Sequence, residues 1–158
     1  MHDYARAVVE AAQSIPQPFA LCGWSMGGLV ALLAAAEARP NALVLLEPSP
    51  PAEVQGQDPS VEPDPGVFDP EAVYGAFPEG IRARPESALA RAERKRGISV
   101  PRIGCPSLVV FGDEFRAERG TAVAHLYGSD ERHFPGFTHW DLVQRREVHD
   151  AVARWLGV

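Results

Sequence analysis

Residues 23–27 read Gly23-Trp24-Ser25-Met26-Gly27, and Gly28 follows. A serine in G-x-S-x-G spacing suits a sharp strand-to-helix turn that exposes its hydroxyl. The flanks fit that turn. Phe19 to Cys22 is a short apolar run that reads as a buried strand, and Leu29 to Arg39, rich in Ala and Leu, reads as a helix. The glycines have a steric reason: the serine is strained, and Cβ atoms on its close neighbours would clash with strand and helix. A plainer reading also stands, a glycine-rich turn that only packs a helix on a strand. Serine alone is a poor nucleophile. It needs a base, usually histidine, and the histidine needs a carboxylate to fix its tautomer and stabilise its charged form. The available histidines are His2, His125, His133, His139 and His149.

The run Gly23 to Gly28 resembles the nucleophile elbow of the α/β-hydrolase family, and Phe137-Thr138-His139-Trp140-Asp141-Leu142 is similar to that family's histidine loop. The family's chain order is nucleophile, acid, histidine. The resemblance implies Ser25 as nucleophile, His139 as base and the N–H of Met26 as an oxyanion donor. It leaves the acid open. The family usually places an aspartate on the loop after the strand that here reads Ser107 to Phe111, at the position occupied by Phe115. Asp113 and Glu114 lie two and one residues early. Some members carry the acid after the strand that follows the elbow helix, which points instead to Glu47. Glu47, Asp113 and Glu114 are therefore all candidates.

These residues need elements to hold them. Tyr4, Ala7, Val8, Ala11, Ala12 and Ile15 recur at helical spacing, which predicts a helix over 3–14 that Asp3 can cap and that Pro16 and Pro18 end. The elbow helix stops at Arg39-Pro40. Ala42 to Leu46 and Ser107 to Phe111 read as buried strands. Pro48 to about Pro70 is rich in proline, glycine and acids and reads as an irregular loop. Asp69-Pro70 opens a short helix through Phe77. Pro85 to Arg96 is a basic helix stopped by Gly97, either a solvated face or a positive rim for an anionic substrate. Residues 121–127 read as a short helix or strand, Glu131 to Pro135 as an edge strand, and Glu147 to Leu156 as an amphipathic helix. Strands alternating with helices imply a parallel sheet covered on both sides. The expected fold is an α/β-hydrolase-like parallel sheet of about four strands, truncated on its N-terminal side. It forms one domain, with a small lid over roughly residues 48–100.

The chain has 158 residues and a formal net charge of −6, so there is room for a real core and no general attraction to nucleic acid or membrane. The N-terminus lacks a signal-peptide pattern and no apolar run spans a bilayer, which makes a cytoplasmic location the expectation. Cys22 and Cys105 sit at apolar strand patterns and are expected to be buried reduced thiols. No H-x-x-x-H spacing occurs, and neither metal nor cofactor is implied.

The strands that precede the elbow strand in the family, and the loop that gives the second oxyanion donor, have no counterpart here. An apolar sheet edge should then be open, available to a second copy or to a missing N-terminal half. Losing one oxyanion donor costs roughly 2.7–4 kcal/mol of transition-state stabilisation, which weak hydrolysis would survive. The expected function is hydrolysis of a small-molecule ester, with an amide or thioester as the second choice, of a small to medium apolar acyl group. Phe68, Tyr74 and Phe77 are candidates to line its pocket. The alternative is a catalytically impaired fold remnant that serves as a binding or assembly module.

Overall fold

The computed structural model describes residues 1–62, 69, 71–72, 76–77, 79, 87–100 and 102–158. A parallel sheet of four strands runs in the order β1 (Ala20–Trp24), β2 (Ala42–Leu46), β3 (Ser107–Phe111), β4 (Asp130–His133). The register sets Trp24 beside Leu46, Leu46 beside Val110, and Phe111 beside His133. The carboxyl ends of the strands thus share one edge, where open α/β sheets bind ligands. Each candidate catalytic residue follows such an end.

Helices fill both faces because side chains alternate along each strand. Leu43, Leu45, Val109 and Phe111 point to the face covered by α1 (His2–Ala12) and α2 (Met26–Ala38). Val44, Leu46, Leu108 and Val110 point to the other face, packed with Val148 of α7 (Arg146–Leu156) and Leu142 of α6 (Asp141–Gln144). Between β2 and β3 lie α3 (Ala52–Gln55) and α4 (Ala88–Arg96). Between β3 and β4 lie a π-helix (Arg116–Thr121) and α5 (Ala122–Tyr127). No described helix is long and apolar enough to cross a membrane.

Several local expectations change. The N-cap of α1 is Met1, with no side-chain bond, and Asp3 pairs with Arg6 instead of capping. The proline-rich stretch contains α3, tied to the segment around α4 by Ala52 N–H to the Ile98 carbonyl (2.8 Å) and the Gln55 side-chain amide to the Arg94 carbonyl (2.7 Å). Ser87 caps α4 by accepting the Ala90 N–H at 3.0 Å, so the helix begins after the expected Pro85, which lies outside the described residues. Arg94 is buried, so α4 is not solvated all round. Much of the helix expected from Asp69 to Phe77 also lies outside the described residues, as do Phe68 and Tyr74.

Cys22 corrects the expectation of a buried thiol. β1 has no described strand on its outer side, so Ala20 and Cys22 are exposed. Both cysteines are free, and Cys105 is half-buried. A groove of about 550 Å³ runs along this edge, lined by Tyr4, Val8, Leu21, Met26 and Val30 among others.

Candidate active site

Ser25 joins β1 to α2 with φ 53° and ψ −122°, a conformation that L-residues rarely adopt. The turn is locked by its neighbours. Ser25 N–H donates to the Leu46 carbonyl (3.0 Å), and the Ser25 carbonyl accepts from Gly28 N–H (3.0 Å) and Ser49 N–H (2.8 Å). The glycines are not equivalent. A Cβ on Gly23 would lie 2.4 Å from the Gly27 carbonyl oxygen, and one on Gly28 would lie 2.6 Å from the Pro48 Cβ. A Cβ on Gly27 meets nothing described within 4 Å, because Gly27 faces the open groove. Met26 is the first residue of α2, and no described residue accepts a hydrogen bond from its N–H. Such a donor at a helix start suits a developing anion.

Glu47 follows the last residue of β2, also with positive φ (38°), and is fully buried. A buried carboxylate must be partnered. Its Oε1 accepts the Gly112 N–H at 2.7 Å, and its Oε2 lies 2.7 Å from Nδ1 of His139. The partnership dictates the tautomer: Glu47 has no proton to give when ionised, so Nδ1 carries the proton and Nε2 presents a lone pair.

His139 is held at nearly every other handle. Its N–H donates to Glu114 Oε2 (3.0 Å), and its carbonyl accepts the Trp24 indole N–H (3.1 Å). The Trp24 and imidazole ring centres lie 4.7 Å apart, and the Phe115 ring stands perpendicular to the imidazole with ring centres 5.3 Å apart. The chain neighbour of Ser25 therefore packs directly on the base candidate. Neither Ser25 Oγ nor His139 Nε2 is hydrogen-bonded to a described residue, so the structure does not join these two side chains directly; ligand-free sites often have loose catalytic bonds.

Asp113 and Glu114 do not contact the imidazole nitrogens. Asp113 Oδ1 lies 2.7 Å from His133 Nε2, and its Oδ2 accepts the Gly136 N–H at 2.7 Å. The Gly136 N–H, then His133, hold the Asp113 carboxyl below its ordinary value. Glu114 reaches His139 only through the backbone. Phe115, at the position where the resemblance expects an aspartate, sets an aromatic ring perpendicular to the imidazole instead.

Sequence reasoning missed two supports. Trp24 fills a motif position open to any residue, so nothing in the pattern marked it. Asp141 accepts both the Thr138 N–H (2.8 Å) and the Thr138 hydroxyl (2.7 Å), which fixes the turn carrying His139. These bonds and Arg145 hold the Asp141 carboxyl down at about 2. The T-x-x-D spacing was the available signal. Phe77 packs edge-on against Trp140 at 5.4 Å. Among the described residues, no cluster of three or more His, Cys, Asp or Glu could hold a metal.

A parallel sheet with a strained serine turn, and with candidate catalytic residues at its carboxyl edge, is the architecture of an α/β hydrolase. The chain belongs to the alpha/beta hydrolase family, whose model matches residues 1–157. No curated protein matches it by sequence. Among solved structures it is similar to the type II thioesterase BorB from the borrelidin biosynthetic cluster, at 19% identity and a TM-score of 0.60, covering 97% of this chain and 69% of that one. It is also similar to NosK from Streptomyces actuosus, at 22% identity and a TM-score of 0.57, covering 97% and 74%. Est1E from Butyrivibrio proteoclasticus matches at 24% identity and a TM-score of 0.53, covering 97% and 68%. At these identities the likeness shows the fold. Family membership supports a hydrolase.

Proposed function

We propose that this chain is a cytoplasmic serine hydrolase that cleaves a carboxylic ester, with a thioester or amide as the second choice, through an acyl-enzyme. The observation that carries the reading is the 2.7 Å pairing of His139 Nδ1 with the buried Glu47 carboxylate. It leaves Nε2 unprotonated on a histidine packed against the residue before Ser25. Nε2 takes the Ser25 proton as Oγ attacks the carbonyl carbon. The tetrahedral oxyanion is stabilised by the Met26 N–H, at the start of α2. The imidazolium, stabilised by Glu47, passes its proton to the leaving alkoxide or thiolate, and the ester bond breaks. Water then attacks the acyl-Ser25, with His139 again as base, and the acid is released. No step calls for a metal or cofactor. Glu47 thus takes the role of acid, in preference to Asp113 and Glu114. Thioesterase and esterase among the similar structures accord with either leaving group.

Labelling with a fluorophosphonate tests the reading. Wild-type protein should label, and Ser25→Ala and His139→Ala should not. Folded protein that fails to label would remove the hydrolase reading.

The outer edge of β1, on which no described strand lies, favours a second reading, an assembly module in which a second copy adds its own β1. Unpaired strand N–H and C=O groups beside an apolar groove are a template for such pairing. A concentration-dependent dimer without serine labelling would favour it over the enzyme.

A further inference from the structure

The loop after β3 touches the histidine loop at four points. Gly112 comes so close that a Cβ there would lie 2.1 Å from the Phe137 carbonyl oxygen. Asp113 N–H donates to that same carbonyl at 3.1 Å. The Asp113 carboxylate accepts the Gly136 N–H at 2.7 Å, and the Glu114 carboxylate accepts the His139 N–H at 3.0 Å. Both carboxylates are exposed, and neither is bonded to an imidazole nitrogen of His139.

We propose that Asp113 and Glu114 are positioning residues for His139: adjacent carboxylates that clamp the histidine loop through its backbone N–H groups. This rests on the serine hydrolase reading, in which His139 is the base. The need for a clamp follows from the geometry. The loop leaves β4 at His133 and enters α6 at Asp141. The imidazole is tied at Nδ1 to Glu47, which belongs to a different strand. One tie still lets the ring swing about that bond. Fixing the backbone on either side of Phe137, at Gly136 and His139, limits the swing, and the Trp24 indole N–H also holds the His139 carbonyl. Nε2 is then aimed by its surroundings before substrate arrives. Asp113 has a second tie to His133, whose ring stacks on Phe111 at 5.3 Å. The clamp is thereby anchored to β3 and β4 together.

A positioning role and an acid role make opposite demands on an amide. Gln or Asn keeps an oxygen that can accept the backbone N–H but has no charge. An acid would lose its effect in the amide variant, whereas a clamp keeps most of it. Fluorophosphonate labelling rates should therefore fall about 10- to 100-fold in Glu114→Ala, the range for a small displacement of a catalytic group. Glu114→Gln should stay within about threefold of wild type. Asp113→Ala and Asp113→Asn should split in the same sense. The downfield Nδ1 proton resonance of His139 provides a readout that needs no activity. It should be sharp in wild type and Glu114→Gln, and broadened or lost in Glu114→Ala. A Gln variant as damaged as the Ala variant, or an Ala variant with unchanged rate and resonance, would overturn the clamp. Wild type that keeps the resonance pattern but never labels would uphold the clamp and remove the hydrolase reading.

Discussion

Replacing Glu47 by Gln isolates the contact on which the proposed chemistry depends. The carboxylate receives Gly112 N–H on one oxygen and faces His139 Nδ1 with the other, each at 2.7 Å. A glutamine amide can occupy that space in two orientations. With its oxygen toward Gly112, its NH₂ faces Nδ1, which must then accept; the imidazole proton moves to Nε2, and the base is lost. With its oxygen toward Nδ1 the tautomer is kept, but NH₂ meets N–H at Gly112. That leaves a buried donor unpaired, at a cost of about 1–3 kcal/mol. The inactive orientation is favoured by this amount, a factor of about 5–150. The negative charge beside the developing imidazolium is lost as well. The two effects together should lower kcat/KM about 10³- to 10⁴-fold, or about 4–5.5 kcal/mol. The rate of serine labelling, or of release of p-nitrophenol from a short-chain ester, measures it. Nitrogen-15 NMR of His139 should show the proton moved from Nδ1 to Nε2. A folded Glu47→Gln protein that keeps activity within tenfold of wild type would refute the assignment of Glu47 as the acid.

Three further outcomes are expected. Gly28→Ala should destabilise by about 1–3 kcal/mol, since its Cβ would press on Pro48, while Gly27→Ala should stabilise by about 0.5–1 kcal/mol, since its Cβ enters open space in a helix. Thermal unfolding should show shifts of opposite sign, roughly 2–4 °C per kcal/mol. Cys22 should react with a maleimide in the native protein because it lies exposed on the β1 edge; a native thiol that is inert in dilute solution would mean that this edge is covered. The Asp141 carboxyl sits at about 2 against an ordinary 3.8, so its contribution to folding is complete above about pH 4 and is lost as pH falls through 2. The Thr138 amide resonance should titrate near pH 2 in wild type and not in Asp141→Asn.

The central strands were legible because they are buried on both faces: Ala42 to Leu46 and Leu108 to Phe111 are unbroken apolar runs, and the bounds of both strands match. The edges were harder. Cys22 belongs to a similar apolar run, yet it is exposed because exposure depends on a neighbouring strand, which the run itself does not encode. The π-helix from Arg116 to Thr121 has no periodic signature of its own and was not expected. The elbow was readable because its steric demands fall on consecutive residues. Which carboxylate meets the imidazole was not, since Glu47 and Asp113 both stand just beyond a strand end. What separates them is that β2 lies between β1 and β3, which sets Glu47 between the serine turn and the loop after β3, a relation of three strands rather than of one segment.

Ser25 and Glu47 belong to a single strand–helix–strand unit, β1–α2–β2, whereas the His139 contact spans 92 residues. Closing the short unit costs little chain entropy, and closing the long loop costs more. Ser25 and Glu47 can therefore be brought together early in folding, with His139 arriving only when β3 and β4 have joined the sheet. Until then Glu47 also lacks β3, whose Val110 carbonyl and following Gly112 N–H help to bury it, so its carboxylate stays in water. The pairing of Glu47 with His139 thus depends on β3 and the C-terminal segment both being in place, so the site is completed together with the fold that buries it.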